Sequence, residues 1–461
     1  MVFSSLNFLF FFLPLVLLLH RFVPARWKNP VLLAFSVWFY AWGEPVYVVL
    51  MLLSVGFNYV TGLQIGMRAG RQARRAALIS GVAVNLLILG FFKYYGFLVE
   101  TFNALTGLNL GYRALGLPIG ISFYTFQELS YIIDVYRGKT KPQRSLLDFA
   151  VYVTMFPQLV AGPIVKYTDI EAQLKRRSVN LSRFGQGVER LVWGLSKKVL
   201  LANNLGLLAD AARAGAGRSV LTAWLGAAAY ALQIYFDFSG YSDMAIGMGK
   251  MLGFSFPENF DYPYLSKSVT EFWRRWHMSL SGWFREYVYI PLGGNRVSAP
   301  RHILNLLVVW MLTGLWHGAS WNFVLWGLYY GLLLILEKYA LGGVMKRLPG
   351  AAARAITLAL VTVGWVLFSH TRISDAGAYL GTMIGIGAKG FADRAFLYYL
   401  RSNLVLIALS ALCATPAVRD LLVRRAYRTP ALATGATVLM FLLSCAFLVY
   451  NSYNPFLYFR F

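Results

Sequence analysis

Charge is scarce in this chain. Only 13% of its 461 residues are Asp, Glu, Lys or Arg, and 19 residues are acidic, against 58% that are hydrophobic. An ordinary soluble domain, about a quarter charged, is excluded by that balance. Cysteine is nearly absent. Cys413 and Cys445 sit in apolar stretches with neither CxxC nor metal-ligand spacing, which argues for buried thiols rather than a disulfide framework or a zinc site. The sequence has no GxSxG elbow, no Walker loop and no HExxH, so serine-hydrolase, P-loop and zincin chemistry lack their usual carriers. No period-two alternation points to a membrane β-barrel.

What is present is apolar sequence. Long hydrophobic runs recur from Phe3 to Tyr450, which predicts an all-α polytopic membrane protein with one membrane-embedded domain over residues 1–461. The net charge of +24 resides in short basic clusters between these runs. That placement fits the positive-inside rule and contact with anionic lipid headgroups better than nucleic-acid binding, which favours one basic face or arm. The opening MVFSSLNFLFFFLPLVLLLH has no basic n-region and no evident cleavage site, and Arg21, Arg26 and Lys28 follow it. This charge order predicts a retained first helix with its N-terminus outside.

The same logic gives a rough topology. Basic groups at 21–28, 68–75 and 137–144 are expected on the cytoplasmic face, with residues 43–45 and 100–116 outside, which makes five crossings before Arg144. Residues 149–165, containing FPQLVAGP, are short for a span, which needs about 20 residues. They end at Lys175, Arg176 and Arg177, so a re-entrant or buried segment is expected, shielded by protein as irregular backbone at depth must be. Helices are predicted near 184–208 and 220–248. The polar, aromatic region 252–300 is too charged to face lipid. Residues 303–316 and 321–336 form an apolar hairpin around HGAS. The first arm would reach only about 21 Å against a hydrocarbon core of about 30 Å, leaving its end within the membrane. Further spans are expected near 355–368, 400–414 and 432–450, with Lys346, Arg347, Arg354 and the 419–428 group marking cytoplasmic loops. The total is about 10–12 crossings plus re-entrant or interfacial helices.

Two of the five histidines fall in the most polar part of this plan. His317 closes the first hairpin arm in a WHG turn. Ionisable groups at membrane depth are functional candidates by default, and a neutral imidazole suits general-base work. The alternative is a helix-end histidine bonded to a backbone carbonyl. His277 lies in EFWRRWHMSLSGWFREY, which reads as one or two amphipathic helices, with Trp273, Trp276 and His277 on one face and Glu271 four residues from Arg275. It is either an interfacial anchor or a second ring converging on the same cavity. YFDFSGYSDMAIG places Asp237 and Asp243 in an apolar helix, where pairing with Arg274 or Arg275 is the safer reading. LPIGISFYTFQELSYIIDVYRG carries Gln127, Glu128, Tyr131 and Asp134, best read as helix packing or the lining of a polar channel. No acidic residue stands four or five positions after either histidine, so soluble histidine-acyltransferase motifs are missing.

Together these strings resemble the membrane-bound O-acyltransferase family, and most closely its bacterial branch that acetylates exopolysaccharides. MVFSSLNFLFFFLP, LPIGISFYTFQELSYIIDVYRG, FPQLVAGPI, YFDFSGYSDMAIGMGKMLGF, ENFDYPYLSKSVTEFWRRWHMSLSGWFREYVYIPLGGNR, GLWHGASWNFVLWG and SYNPFLYFRF carry the resemblance in that order, with a family core roughly over 115–340. The resemblance implies helices around a central tunnel, a cytoplasmic acyl donor, a family histidine at the narrow point corresponding to His317, and a second polar position corresponding to His277. It also implies a separate extracytoplasmic partner of the SGNH-hydrolase type, and a bacterial cytoplasmic membrane as the location. Acetyl-CoA would be donor substrate rather than bound cofactor, and a thioester needs neither ATP nor a metal. Lys166, Arg274, Arg275, Arg285 and Arg296 are candidates for holding its phosphates through charge-assisted bonds. Acylation of a lipid, peptide or teichoic-acid acceptor by the same core, and a transporter or flippase, are the competing functions. The last lacks the inverted repeats it would need.

Overall fold

The structure is a computed structural model, described for all residues except 1, 68–69, 114, 161, 215–216, 422–428, 451–452 and 455–461. Arg68, Arg424, Arg425, Arg428 and most of the C-terminal SYNPFLYFRF string therefore lie outside the described residues. Among the described residues the regular structure is helical and no strand occurs.

Among the described residues, five helices are long and apolar enough to cross a membrane: Tyr47–Met67, Arg71–Thr106, Trp321–Met345, Gly350–Ser369 and Pro430–Tyr450. A sixth forms if Arg394–Ser402 and Leu404–Cys413, bent by 62°, make one broken span. Only 6% of the apolar window in Pro430–Tyr450 is buried by protein, so lipid must be its solvent. The protein is a multi-pass membrane protein. The higher count of crossings made from sequence includes helices such as Ile121–Arg137, Val220–Leu252 and Ala299–His317, which mix polar with apolar residues.

The chain forms two compact units: Met1–Leu191 with Tyr241–Glu258, and Val192–Gly240 with Asn259–Phe461. In the first unit, residues 149–165 form the expected buried, broken segment. Leu146–Thr154 and Phe156–Leu159 are two short helices joined at Met155, with Pro157 in the first turn of the second. Hydrogen bonds to side chains tie this irregular segment in place. Ser36 Oγ accepts from Phe156 N–H at 3.2 Å, and Tyr152 OH donates toward the carbonyls of Gln127 and Val165 at 3.1 and 3.2 Å. Glu128 is wholly buried and accepts from Ser54 Oγ at 2.6 Å, one turn from a reciprocal amide pair between Asn58 and Asn85. Tyr131 OH accepts from Gln143 N–H at 2.9 Å. These are contacts of helix packing, as expected for that string.

The second unit contains the hairpin. Its first arm is Ala299–His317, with Pro300 in the opening turn and Ser298 at the N-cap. At 19 residues it spans about 28 Å rather than the 21 Å expected. The arm thus nearly matches a hydrocarbon core, and it is burial in protein, not shortness, that shields His317. The second arm is Trp321–Leu336. Gly314 and Gly327 let the arms touch backbone to backbone. A methyl group on Gly314 would lie 2.3 Å from the Phe323 carbonyl oxygen, and one on Gly327 would lie 2.4 Å from that of Trp310.

Residues 252–300 break into short pieces. Ser268 caps Val269–Arg275 by accepting from Glu271 N–H at 3.0 Å, and the Glu337 carboxylate accepts from Val269 N–H at 2.7 Å. A carboxylate on free N–H groups at a helix start is favourable on both hydrogen-bond and dipole grounds.

Candidate functional site

EFWRRWHMSLSGWF folds as two helices, Val269–Arg275 and Met278–Phe284, and His277 is the break between them. Its φ is 44°, the left-handed region, which costs a non-glycine residue about 1–2 kcal/mol. The path is held by Asn259. Met278 N–H donates to the Asn259 carbonyl at 2.9 Å, while the Asn259 side-chain Oδ1 accepts from Ser279 N–H at 3.2 Å and Ser279 Oγ at 2.8 Å. His277 Nδ1 lies 3.0 Å from the same oxygen. An oxygen taking those Ser279 protons is an acceptor, so the Nδ1 position carries hydrogen and Nε2 is the ring's basic nitrogen. The ring is 1% exposed, and burial lowers its pKa to about 3, which keeps it neutral at physiological pH.

His317, 5% exposed, ends the first hairpin arm. Its ring meets Trp316, Trp326 and Phe368 nearly edge to face at 5.1, 5.0 and 5.4 Å. Trp316 also touches the His277 ring at 5.8 Å, so one indole contacts both imidazoles. The HGAS turn is fixed behind them: Ser320 Oγ donates to Asn322 Oδ1, and Asn322 Nδ2 donates to the Phe368 carbonyl at 3.3 Å. Thus Phe368 both anchors the turn and packs on the ring that the turn presents. Further out, Trp273, Trp310 and Tyr330 extend the wall, with Trp273 4.7 Å from Trp310 and 4.8 Å from Tyr330.

The two aspartates of YFDFSGYSDMAIG pair differently from expectation. Asp237 meets Lys198 at 2.7 Å, both almost fully buried, and Lys198 also donates to Asn203 Oδ1 at 2.8 Å. The residue after Asp237, Phe238, packs on the His277 ring at 4.7 Å. Asp243 belongs to the first unit and accepts from Arg190 Nε at 3.0 Å, while Arg190 also reaches Glu258. Arg275 is bound to Glu271, the expected pair four residues apart, and to Asp261 at 3.1 Å. Arg274 is exposed. Pairing followed proximity in the folded chain, not in sequence.

Of the five candidate donor-holding cations, Arg275 is already engaged by two carboxylates. Arg274, Arg285 and Arg296 are exposed side chains of the second unit. Lys166 lies in the first unit, half-buried, at the N-cap of Tyr167–Lys175, where its backbone N–H donates to Asp169 at 2.9 Å. Asn259 and Lys198 are the site residues that sequence reasoning passed over. Asn259 stands in the ENFDYPY string 18 residues before His277, a distance at which no helix or strand period points to a partner.

These features define a multi-pass helical membrane protein with two buried imidazoles packed against one tryptophan. The sequence model of the membrane-bound O-acyltransferase family matches residues 140–373. A probable alginate O-acetylase of Azotobacter vinelandii is 41% identical over the full length of both chains. A peptidoglycan O-acetyltransferase of Helicobacter pylori is 35% identical over 84% of this chain and 80% of its own. A teichoic acid D-alanyltransferase of Streptococcus thermophilus is 31% identical over 48% of this chain and 56% of its own. The chain belongs to the membrane-bound O-acyltransferase family and is an O-acyltransferase.

Proposed function

We propose that this protein moves an acetyl group from cytoplasmic acetyl-CoA across a bacterial cytoplasmic membrane, through a tunnel in its own helices, to an extracytoplasmic acceptor or SGNH-type partner that O-acetylates a polysaccharide. The observation that carries the reading is the burial of His317 among Trp316, Trp326 and Phe368 at the tip of a fixed hairpin. An acceptor hydroxyl attacks the thioester carbonyl and passes its proton to the imidazole of His317. The C–S bond then breaks, and the imidazolium returns the proton to the departing thiolate. If His317 is instead the transient acyl carrier, its ring nitrogen attacks the thioester carbonyl, the C–S bond breaks and the ring proton goes to the departing thiolate. The hydroxyl then attacks the acyl-imidazole, the C–N bond breaks and the hydroxyl proton returns to the ring. In either route the aromatic wall excludes competing water, and His277 supplies the second polar group.

The names of the relatives bear on the acceptor. The full-length likeness to a probable alginate O-acetylase, against a match over half the chain to a teichoic acid D-alanyltransferase, favours an acetylated polysaccharide over an alanylated teichoic acid. Purified full-length protein, supplied with acetyl-CoA labelled in the acetyl group and with an SGNH-type partner, should transfer label to the partner or its glycan. Label that stays on CoA, with D-alanyl transfer from a carrier protein instead, would overturn this reading.

Asn259 acts through His277. Asn259→Ala should lower turnover by about 10–100-fold, as a misplaced group does, with the KM for the donor little changed. Asn259→Asp, which keeps the accepting oxygen, should recover much of the loss. Equal losses in both variants would mean that Asn259 merely supports the fold.

A further inference from the structure

The first unit contains a cavity of about 660 Å³ that the acyl-transfer reading does not use, lined by Arg26, Lys28, Lys175, Arg176 and Arg177. Sequence alone assigns the basic groups 21–28 and 175–177 to one membrane face, and the fold brings Arg26 and Lys28 of the first group and all three of the second to one recess. Asp148 is the carboxylate in its lining, and that group is already engaged by Asn29 Nδ2 at 2.6 Å. Five cations thus line the recess beside one occupied anion, and among the described residues only Lys175 has a further carboxylate, Glu171 at 4.0 Å, outside the lining.

The recess is also built rather than merely basic. Asn29 donates to the Leu174 carbonyl at 3.0 Å and accepts from Arg177 Nη1 at 2.6 Å, joining three chain segments around the opening. Arg177 lies 4.5 Å over the Phe254 ring, and its remaining bonds go to neutral groups, the Gln173 and Leu174 carbonyls and His20 Nε2. Its Nε is buried without a hydrogen-bond partner. Burial lowers this guanidinium to about 10 despite the nearby Asp148, as happens to a cation short of counter-charge. Guanidinium and ammonium groups converging on one pocket match the oxygens of a phosphate.

We propose that this cavity is a binding site for a phosphate-bearing anion, from either a phospholipid headgroup or a soluble phosphate. The site is independent of the histidine chemistry, and its test needs no turnover. Purified full-length protein would be titrated with inorganic pyrophosphate by calorimetry. In parallel it would be reconstituted in nanodiscs of phosphatidylcholine with and without phosphatidylglycerol, and co-purifying lipid read by native mass spectrometry. The triple variant Lys28→Gln, Lys175→Gln, Arg176→Gln should weaken binding by about tenfold or more. A triple of equal charge loss elsewhere, Arg21→Gln, Arg71→Gln, Arg75→Gln, should leave it nearly unchanged. Pyrophosphate binding assigns the site to soluble phosphates, and selective retention of phosphatidylglycerol assigns it to a headgroup. Should the triple not yield folded protein, the single exposed change Arg176→Glu is read in the same titration. No binding of either probe, or equal loss in both triples, removes the proposal.

Discussion

Replacing His317 by alanine should reduce acetyl transfer by about 10²–10⁴-fold, the range over which a positioned general acid–base group contributes. If the ring is itself the acyl carrier, the loss will be at the upper end. Alanine also empties space between Trp316, Trp326 and Phe368, and a vacated core site costs a few kcal/mol. The informative comparison is therefore His317→Gln, which keeps a polar side chain of similar reach without an imidazole base. Both variants should elute as the wild type does on size exclusion, and both should fail to transfer label from acetyl-CoA. Transfer at wild-type rates in either variant would remove His317 from the chemistry, whatever its burial.

The second large effect concerns stability. Lys198 and Asp237 are 1% and 2% exposed and 2.7 Å apart. Removing one partner leaves the other charge buried and uncompensated, which costs about 3–5 kcal/mol. Lys198→Met or Asp237→Leu alone should thus lower the unfolding temperature sharply in detergent and cut the yield of folded protein. The double variant, with neither charge, should recover most of that loss, because an apolar pair of similar volume replaces a buried ion pair at little cost. A cycle in which the double variant is as unstable as the sum of the singles would mean that the ion pair is not the coupled unit the geometry describes. Because Phe238 follows Asp237 and packs on His277, the single variants should also slow transfer in whatever protein remains folded.

Much of this was legible locally. The HGAS hairpin, the broken segment at 149–165, the Glu271–Arg275 pair and the helix Pro430–Tyr450 all follow from periodicity, length and turn chemistry within one stretch of chain. The apolar run alone underestimates the length of the first arm. Ser298 and Pro300 mark a helix start at Ala299, and that signal outweighs the polar Arg301 and His302 that follow. What could not be read were partnerships between distant residues. Nothing in KKVLLA says that Lys198 meets Asp237, and the positive φ at His277 follows from hydrogen bonds made by Asn259, not from any feature of RRWHMS. Buried polar pairs form between side chains that the tertiary fold brings together, so the nearest arginines in sequence were the wrong partners to expect.

The glycine contact between the hairpin arms has a consequence for how this protein meets bilayers of different thickness. Membrane helices answer mismatch by tilting, and arms separated by long side chains could tilt or slide independently. Here peptide backbone abuts peptide backbone at Gly314 and Gly327, with no rotamer to yield. The two arms must lean as one rigid fork, carrying the imidazole at its tip along together with Trp316 and Trp326.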